Sequence, residues 1–466
     1  MAQSRPGAVI VAFGMAILGV ALVAADPAAA SNVVVGLSEE RADADVPTWL
    51  FLATGGGVIA ASALLSMLVT DRITIEAYRN RAWSGATPRA WRVGRLALQA
   101  IGLAALGFVV VVGLFGPQIG SLSAAVLVTF VGLRAGLPMV AYLIGNPWPA
   151  LNPWRTIATL APNGFREYPS RLASWPAVAA VLALVWLEVV TPLAASPRTL
   201  ALAVIGYSVL TVAGAVVFGP DPWFRHADPI SVLFRLYGAV APFGRSADGW
   251  ALRAPGARLS DGRTIPDLSL VAFGIALVYE LTYSGFIVTP PGAETVEALV
   301  SLGLPPSLTY LVLLVVGFGV FVGVYWLAAG RSRRRAETYL ARRYLAIRFA
   351  PPLLAIAAGY HLAHYLGFVL SLWPSVVQTA REPLSPPPNP TVYAPPEWFG
   401  YVEIATVILG HLVAIWVAHV VAMELFPGKL QAIRSQWPFV AVMILFTVLS
   451  LWLVTLPTVE APYVSG

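Results

Sequence analysis

The chain contains no cysteine. Disulfides, thiolate metal sites, thiol nucleophiles and covalent haem attachment through C-x-x-C-H are therefore excluded, and any metal must be held by nitrogen and oxygen. Charge is scarce as well: 11% of residues are charged, against roughly a quarter in an ordinary soluble domain. Lysine is almost missing, with Lys429 the only one among 29 basic residues. Three common catalytic signatures are also lacking. There is no H-E-x-x-H, no G-x-S-x-G and no G-x-x-x-x-G-K-[ST], which excludes zincin, α/β-hydrolase and P-loop chemistry. "GFGVFVG" (317–323) lies inside an apolar run and reads as helix packing, not as a nucleotide fingerprint. No internal repeat appears at periods of roughly 20 to 50 residues.

What is abundant is apolar sequence, at 58% of residues. Runs long enough to cross a bilayer core of ~30 Å recur along the whole chain. They fall near 7–25, 48–69, 94–115, 122–143, 175–193, 199–218, 267–289, 307–329, 349–373, 398–423 and 437–456. The expected fold is therefore all-α: a polytopic transmembrane helical bundle of about 11 spans, with one helical domain over 46–457. Residues 1–30 read either as a cleaved signal peptide, leaving about 10 spans, or as a retained first helix.

The connections alternate in charge. Those near 70–93, 144–174, 219–266, 330–348 and 424–436 hold most of the arginines, while the opposite set holds only Arg41, Arg198 and Arg381. The second set is acidic or neutral, as in "SEERADAD" and "PPGAETVEA". In a soluble protein so basic a balance would suggest nucleic acid. Here it reads as a topology signal, placing the basic connections in the cytoplasm and the C-terminus outside, across a prokaryotic plasma membrane. "HADPISVLFRLYGAVAPF" (226–243) is expected as an amphipathic helix on the cytoplasmic face. "RSRRRAETYLARRYLAIR" (331–348) is expected as a basic helix continuing out of the eighth span toward anionic headgroups. "EPLSPPPNPTVYAPPEW" (382–398) reads as a stiff, extended external loop.

Polar residues inside the spans are costly, at least ~2.5–3.5 kcal/mol for a charge at the bilayer centre, and mark candidate sites. Arg134, Glu188, Glu280, Glu403, His361, His364, His411 and His419 all fall within or at the edge of spans. Arg134 sits in a Gly132-x-x-x-Gly136 pattern that would let a neighbouring helix approach closely. His361 and His364 are three apart on one span and His411 lies on the next, so all three fall within ~5 Å of one depth. Three neutral imidazoles from adjacent helices suit zinc, copper or iron, with a small apolar substrate or a metal ion as the molecule handled. Two facing histidines would instead ligate a haem. Imidazoles that only hydrogen-bond helices together, or a relay through Glu403, His411 and His419 whose steps rotate around the helix, are the other readings of the same spacing. In "GNPWPALNPWRTI" (145–157), Asn before Pro favours a helix start, and Trp148 and Trp154 suit the headgroup level.

Several segments together resemble a known family. "ALNPWRT" (150–156), "VWLE" (185–188), "YHLAHY" (360–365), "GHLVAIWVAH" (410–419) and "RSQWPFVAVMILFTVLSLWLV" (434–454) resemble prokaryotic polytopic proteins labelled fenitrothion hydrolase, over about 46–456. By that resemblance Asn152, Trp154, Glu188, His364, His411 and His419 match the family pattern. The label implies hydrolysis of an organophosphate triester. A metal held by His361, His364 and His411 would then activate water, with Glu188 or Glu280 as base. Two departures stand out: "VVVGLSEERADAD" (33–45) lacks the histidine that members carry before the first full span, and the Asn-Pro-Trp unit is doubled. The alternatives are a proton- or metal-coupled transporter, or an accessory membrane protein that uses its basic face to dock a partner.

Overall fold

A proline just inside a helix start, preceded by an oxygen-bearing side chain, recurs along the chain and sets where helices begin. Ser196 accepts from the Thr199 N–H ahead of the helix led by Pro197, and Asn152 accepts from the Arg155 N–H ahead of that led by Pro153. The computed structural model describes residues 48–85, 91–246, 249–396, 398–454 and 456–464. Over these residues the chain is an all-α helical bundle with one small sheet. The long apolar helices are α1 (Thr48–Ser66), α2 (Trp91–Phe115), α3 (Ala124–Leu143), α4 (Trp175–Val190) and α5 (Pro197–Phe218). They continue with α6 (Leu268–Ile287), α7 (Pro306–Arg335), α8 (Pro352–Arg381), α9 (Phe399–Leu425) and α10 (Lys429–Val454). Among the described residues eight helices are long and apolar enough to cross a membrane; Trp175–Val190 is shorter, as is the part of α1 from Gly56 to Ser66. The protein is an integral membrane protein. The apolar segment at 7–25, the histidine-free stretch at 33–45 and the choice between ten and eleven spans lie outside the described residues.

The arginine-bearing connections meet at one end of the bundle. There Glu424 pairs with both Arg79 (3.1 Å) and Arg348 (3.0 Å), and Tyr78 donates its hydroxyl to the Pro255 carbonyl at 2.8 Å. At the other end the Val459 N–H donates to the Val288 carbonyl, and Trp186 Nε1 donates to the Ser307 carbonyl. The charge alternation along the chain thus becomes a basic end and a charge-poor end in space. The C-terminal tail packs at the charge-poor end.

The tightest helix contact is between α8 and α9. A Cβ on Gly359 would lie 2.8 Å from both the Gly410 Cα and the Thr406 carbonyl oxygen, and one on Gly410 would lie 2.8 Å from the Ala355 carbonyl oxygen. With Ala355 and Ala414 also buried, small residues four apart line both helices, which lets the two backbones touch. Lipid tails are as apolar as leucine, so close packing of this kind drives association where the hydrophobic effect does not. Gly317 does the same for α7. A Cβ there would sit 2.1 Å from the Tyr279 hydroxyl, which donates to the Leu313 carbonyl, so "GFGVFVG" is helix packing.

Several local expectations change in three dimensions. Gly132 and Gly136 do not admit a neighbouring helix: a Cβ on Gly132 would meet only Val128 at 4.0 Å, and one on Gly136 only the Val131 carbonyl of its own helix at 3.0 Å. The stretch 226–243 is not a helix lying on a surface. The helix Pro229–Tyr237 buries Val232, Phe234, Leu236 and Tyr237, on all sides, because it is wedged under α4, α8 and the end of α3. The stretch 331–348 is not one continuous helix either: α7 stops at Arg335, Glu337 takes a positive φ of 47°, and a separate helix runs from Arg342 to Arg348. Trp148 and Trp154 are buried rather than at a headgroup belt. Nothing in the local sequence announces the sheet, formed by β1 (Ala82–Gly85), β2 (Phe243–Ser246) and β3 (Gly249–Arg253) in the order β1-β3-β2.

Gly359→Val or Gly410→Val drives a side chain into backbone that cannot yield, where overpacking ordinarily costs ~1–3 kcal/mol. The expected outcome is lower yield and an earlier melting transition of the detergent-purified protein, followed by scanning fluorimetry. Gly57→Val, whose Cβ position has no neighbour within 4 Å among the described residues, is the control and is expected to melt like the parent.

Candidate functional site

Arg134 lies in the middle of α3, in a stretch from Val128 to Gly136 that is π-helical. The widened turn shows in the Leu137 N–H, which bonds five residues back to the Gly132 carbonyl. Pro138 offers a reason. It stands four residues after Arg134 and has no N–H to give the Arg134 carbonyl, and its ring crowds that oxygen. Segments of π-helix inside α-helices occur often at functional sites.

The guanidinium is held from two other spans. Arg134 Nε lies 3.0 Å from Glu188 Oε1 and 2.9 Å from Oε2 on α4, and Nη2 donates to Glu280 Oε1 on α6. From α8, the Tyr365 ring lies against the guanidinium, 5.4 Å from carbon to centroid. Four spans thus converge on one cation. The side chains keep some accessible surface: 24% for Arg134, 18% for Glu188 and 10% for Glu280. With both glutamates ionised, the cluster carries one negative charge more than positive.

The histidines divide into different surroundings. His361 Nε2 lies 3.2 Å from the Arg134 carbonyl oxygen, the one denied its usual donor by Pro138. A carbonyl only accepts, so Nε2 carries the proton and Nδ1 accepts from the Tyr142 hydroxyl at 3.1 Å. Tyr237, from the wedged helix, packs edge-on against both Tyr142 and His361, at ring separations of 5.4 and 5.8 Å. His411 is engaged elsewhere: Nδ1 donates to the Val407 carbonyl at 2.8 Å, and Nε2 meets the Thr447 hydroxyl of α10 at 2.6 Å. His419 Nε2 donates to the Val69 carbonyl at 2.8 Å while Nδ1 accepts from the Gln436 amide at 3.2 Å, so its imidazole links the end of α1 to α9 and α10. Glu403 packs against α8, 3.1 Å from where a Cβ on Gly367 would stand. His364 differs, since its Nε2 is buried with no hydrogen-bond partner among the described residues.

This arrangement bears directly on the metal expectation. Both ring nitrogens of His361 and of His411 are taken, and among the described residues no three His, Asp or Glu side chains are grouped as a metal ion needs. A metal at His361, His364 and His411 would require His361 and His411 to exchange these partners.

No protein-family model, curated protein or solved structure matches this chain. The functional reading therefore rests on the site itself.

A second buried polar cluster lies toward the basic end. Asn152 Nδ2 and Trp148 Nε1 both donate to Ser231 Oγ at 3.0 Å, and Trp154 Nε1 donates to Ser208 Oγ at 2.7 Å. Beside them Asp228, 1% exposed, caps the helix Pro229–Tyr237 by accepting from the Ser231 N–H. Its carboxylate also accepts from the Tyr207 hydroxyl and, at 3.3 Å, from Thr211, both on α5. Asn152 and Trp154 are thus positioning residues for the wedged helix, at some remove from Arg134. Sequence reading missed Tyr142, Tyr237, Tyr365 and Asp228. The available signals were the Arg134-to-Pro138 spacing and Asp228 directly before a proline.

Two outcomes follow. Arg134→Met strands two carboxylates without a cation, and breaking a buried pair in this way costs ~3–5 kcal/mol. That variant is expected to accumulate poorly and melt early, while Arg134→Met combined with Glu188→Gln and Glu280→Gln recovers most of the loss; no recovery in the triple variant would contradict the charge account. For Asp228, burial raises the carboxyl above its ordinary value, outweighing the Tyr207 and Ser231 bonds that lower it. An acid raised on folding favours the folded state below its unfolded value, and that advantage is lost as pH rises through the raised value. As pH rises from the ordinary aspartate value of about 4, wild type should therefore lose melting temperature relative to Asp228→Asn, which keeps the cap without the charge.

Proposed function

We propose that this protein is a proton-coupled membrane carrier whose proton-binding centre is Arg134 with Glu188 and Glu280. One observation carries the reading: two carboxylates from separate spans share one guanidinium, inside a membrane bundle, with accessible surface remaining on all three side chains. A bound proton cancels the excess negative charge, and low dielectric penalises leaving it uncancelled. The proton belongs to the pair of glutamates rather than to either one. When it sits on Glu188 the guanidinium favours Glu280, and the reverse holds when it moves. That exchange ties α3 alternately to α4 and to α6, a two-state element of the kind carriers need. Tyr365 supports the guanidinium on its face in either pairing. By the positive-inside rule the basic end is cytoplasmic and the C-terminus external, so the helix Pro229–Tyr237 would cover the centre from the cytoplasm.

A second reading is a metal-dependent hydrolase of apolar phosphate esters. It draws on the resemblance to proteins labelled fenitrothion hydrolase and on the partnerless Nε2 of His364. To bind zinc, copper or iron there, His361 and His411 would first have to release Tyr142 and Thr447.

Infrared difference spectroscopy of the purified protein across a pH step tests the first reading. A protonated-carboxyl band is expected in wild type, altered in Glu188→Gln and in Glu280→Gln and lost when both are replaced. A band unchanged in the double variant refutes the centre. Metal content and phosphotriester hydrolysis of the same preparation decide the second. Stoichiometric metal and turnover, both lost in His364→Ala, would establish the hydrolase in place of the carrier.

A further inference from the structure

We propose that the three-stranded sheet at the basic end is an interfacial anchor, resting its aromatic face on the anionic headgroups of the adjoining leaflet. The register puts Trp83, Leu252 and Phe243 opposite one another, and Gly85 opposite Trp250. Residues opposite one another share a face, and that face alternates along each strand, so Trp83, Trp250, Phe243 and Leu252 lie on one side. Contacts agree. A Cβ on Gly85 would stand 2.8 Å from the Trp250 indole, and the Phe243 and Trp250 rings are 6.2 Å apart.

The other face is fixed to the protein along β3 and β2, while Ala82 and Ser84 of β1 stay exposed. Ala251 is 3% exposed, and the space beside Gly244 is filled by the Arg258 guanidinium, which donates to the carbonyls of Gly238, Ala241 and Phe243. Among the described residues the aromatic face has no such cover: Trp83 is 65% exposed, Phe243 43% and Trp250 40%. Three large rings side by side make a patch that a protein does not ordinarily leave to water.

Continuity with the membrane-facing surface identifies the occupant. The Phe243 N–H donates to the Ile144 carbonyl at 3.0 Å, joining the sheet to the end of α3, where Leu143 and Ile144 are exposed. The apolar surface of that span therefore runs on into the aromatic face. Tryptophan, apolar in its rings and polar at its N–H, is the residue that prefers the headgroup level. The three strands carry no acid, and exposed Arg81 directly precedes β1. Aromatics with arginine fit an anionic leaflet. The edge strands β1 and β2, at four residues each, offer little to a strand-adding protein partner.

The absence of cysteine makes the test clean, because a single introduced thiol is the only one in the molecule. Trp83→Cys, Phe243→Cys and, as the opposite-face control, Ser84→Cys are labelled with a fluorophore. The full-length protein is then reconstituted in phosphatidylglycerol–phosphatidylcholine vesicles carrying nitroxide lipids. The labels at 83 and 243 are expected to be quenched by headgroup and shallow-chain nitroxides, more than the label at 84. Replacing phosphatidylglycerol by phosphatidylcholine should weaken that quenching. Arg81→Gln should shrink the phosphatidylglycerol dependence, by roughly fivefold in partitioning for one arginine at a charged surface. Equal quenching at 83 and 84, or quenching at 83 and 243 by soluble iodide alone, would overturn the anchor and assign the face to an aqueous partner.

Discussion

An arginine inside a bilayer has to find negative charge, and Arg134 finds it on two other helices at once. That pairing fixes how α3, α4 and α6 stand relative to one another, and Tyr365 brings α8 to the same point. Much of the remaining architecture can be traced from there. α8 carries His361, which holds the backbone of α3; α9 lies against α8 through bare glycine backbone; α10 lies against α9 through His411 and Thr447. A single charge requirement and a single glycine contact therefore organise most of the interior.

The π-helical stretch and the histidines belong to one arrangement. Pro138 deprives the Arg134 carbonyl of its usual donor, the helix widens around it, and His361 supplies a proton from the neighbouring span. That use of Nε2 leaves Nδ1 to Tyr142, and the imidazole is fully engaged. His411 and His419 are engaged in the same manner with carbonyl, hydroxyl and amide partners. Buried imidazoles in this bundle mostly satisfy backbone and side-chain groups that would otherwise stay unpaired in lipid. His364, with its partnerless Nε2, breaks that pattern.

Depth and neighbour relations were legible in advance; direction was not. Rise per residue placed His361, His364 and His411 at one height, and the short order of spans placed their helices side by side. Whether their rings face one another depends on helix rotation, which is set by where Gly359 meets Gly410, a contact between residues far apart in the chain. The same limit applies to Gly132 and Gly136. Their spacing suits a helix contact, but the widened turn of α3 leaves no neighbouring helix within reach of either. Trp148 and Trp154 look like headgroup residues only until the helix Pro229–Tyr237 is folded beneath them, where Ser231 takes the Trp148 N–H.

The sequence by itself determined that this is a helical membrane protein, where its helices begin and which connections gather at the basic end. Those properties follow from local composition: apolar length against bilayer thickness, proline and capping oxygens at helix starts, arginine in alternate loops. Only the tertiary structure decided that Glu188 and Glu280 share Arg134, that the imidazoles point to different partners, and that two distant connections make a sheet. Each of these depends on rotation and contact between segments remote in the chain, and no local pattern encodes which face of a helix meets which neighbour.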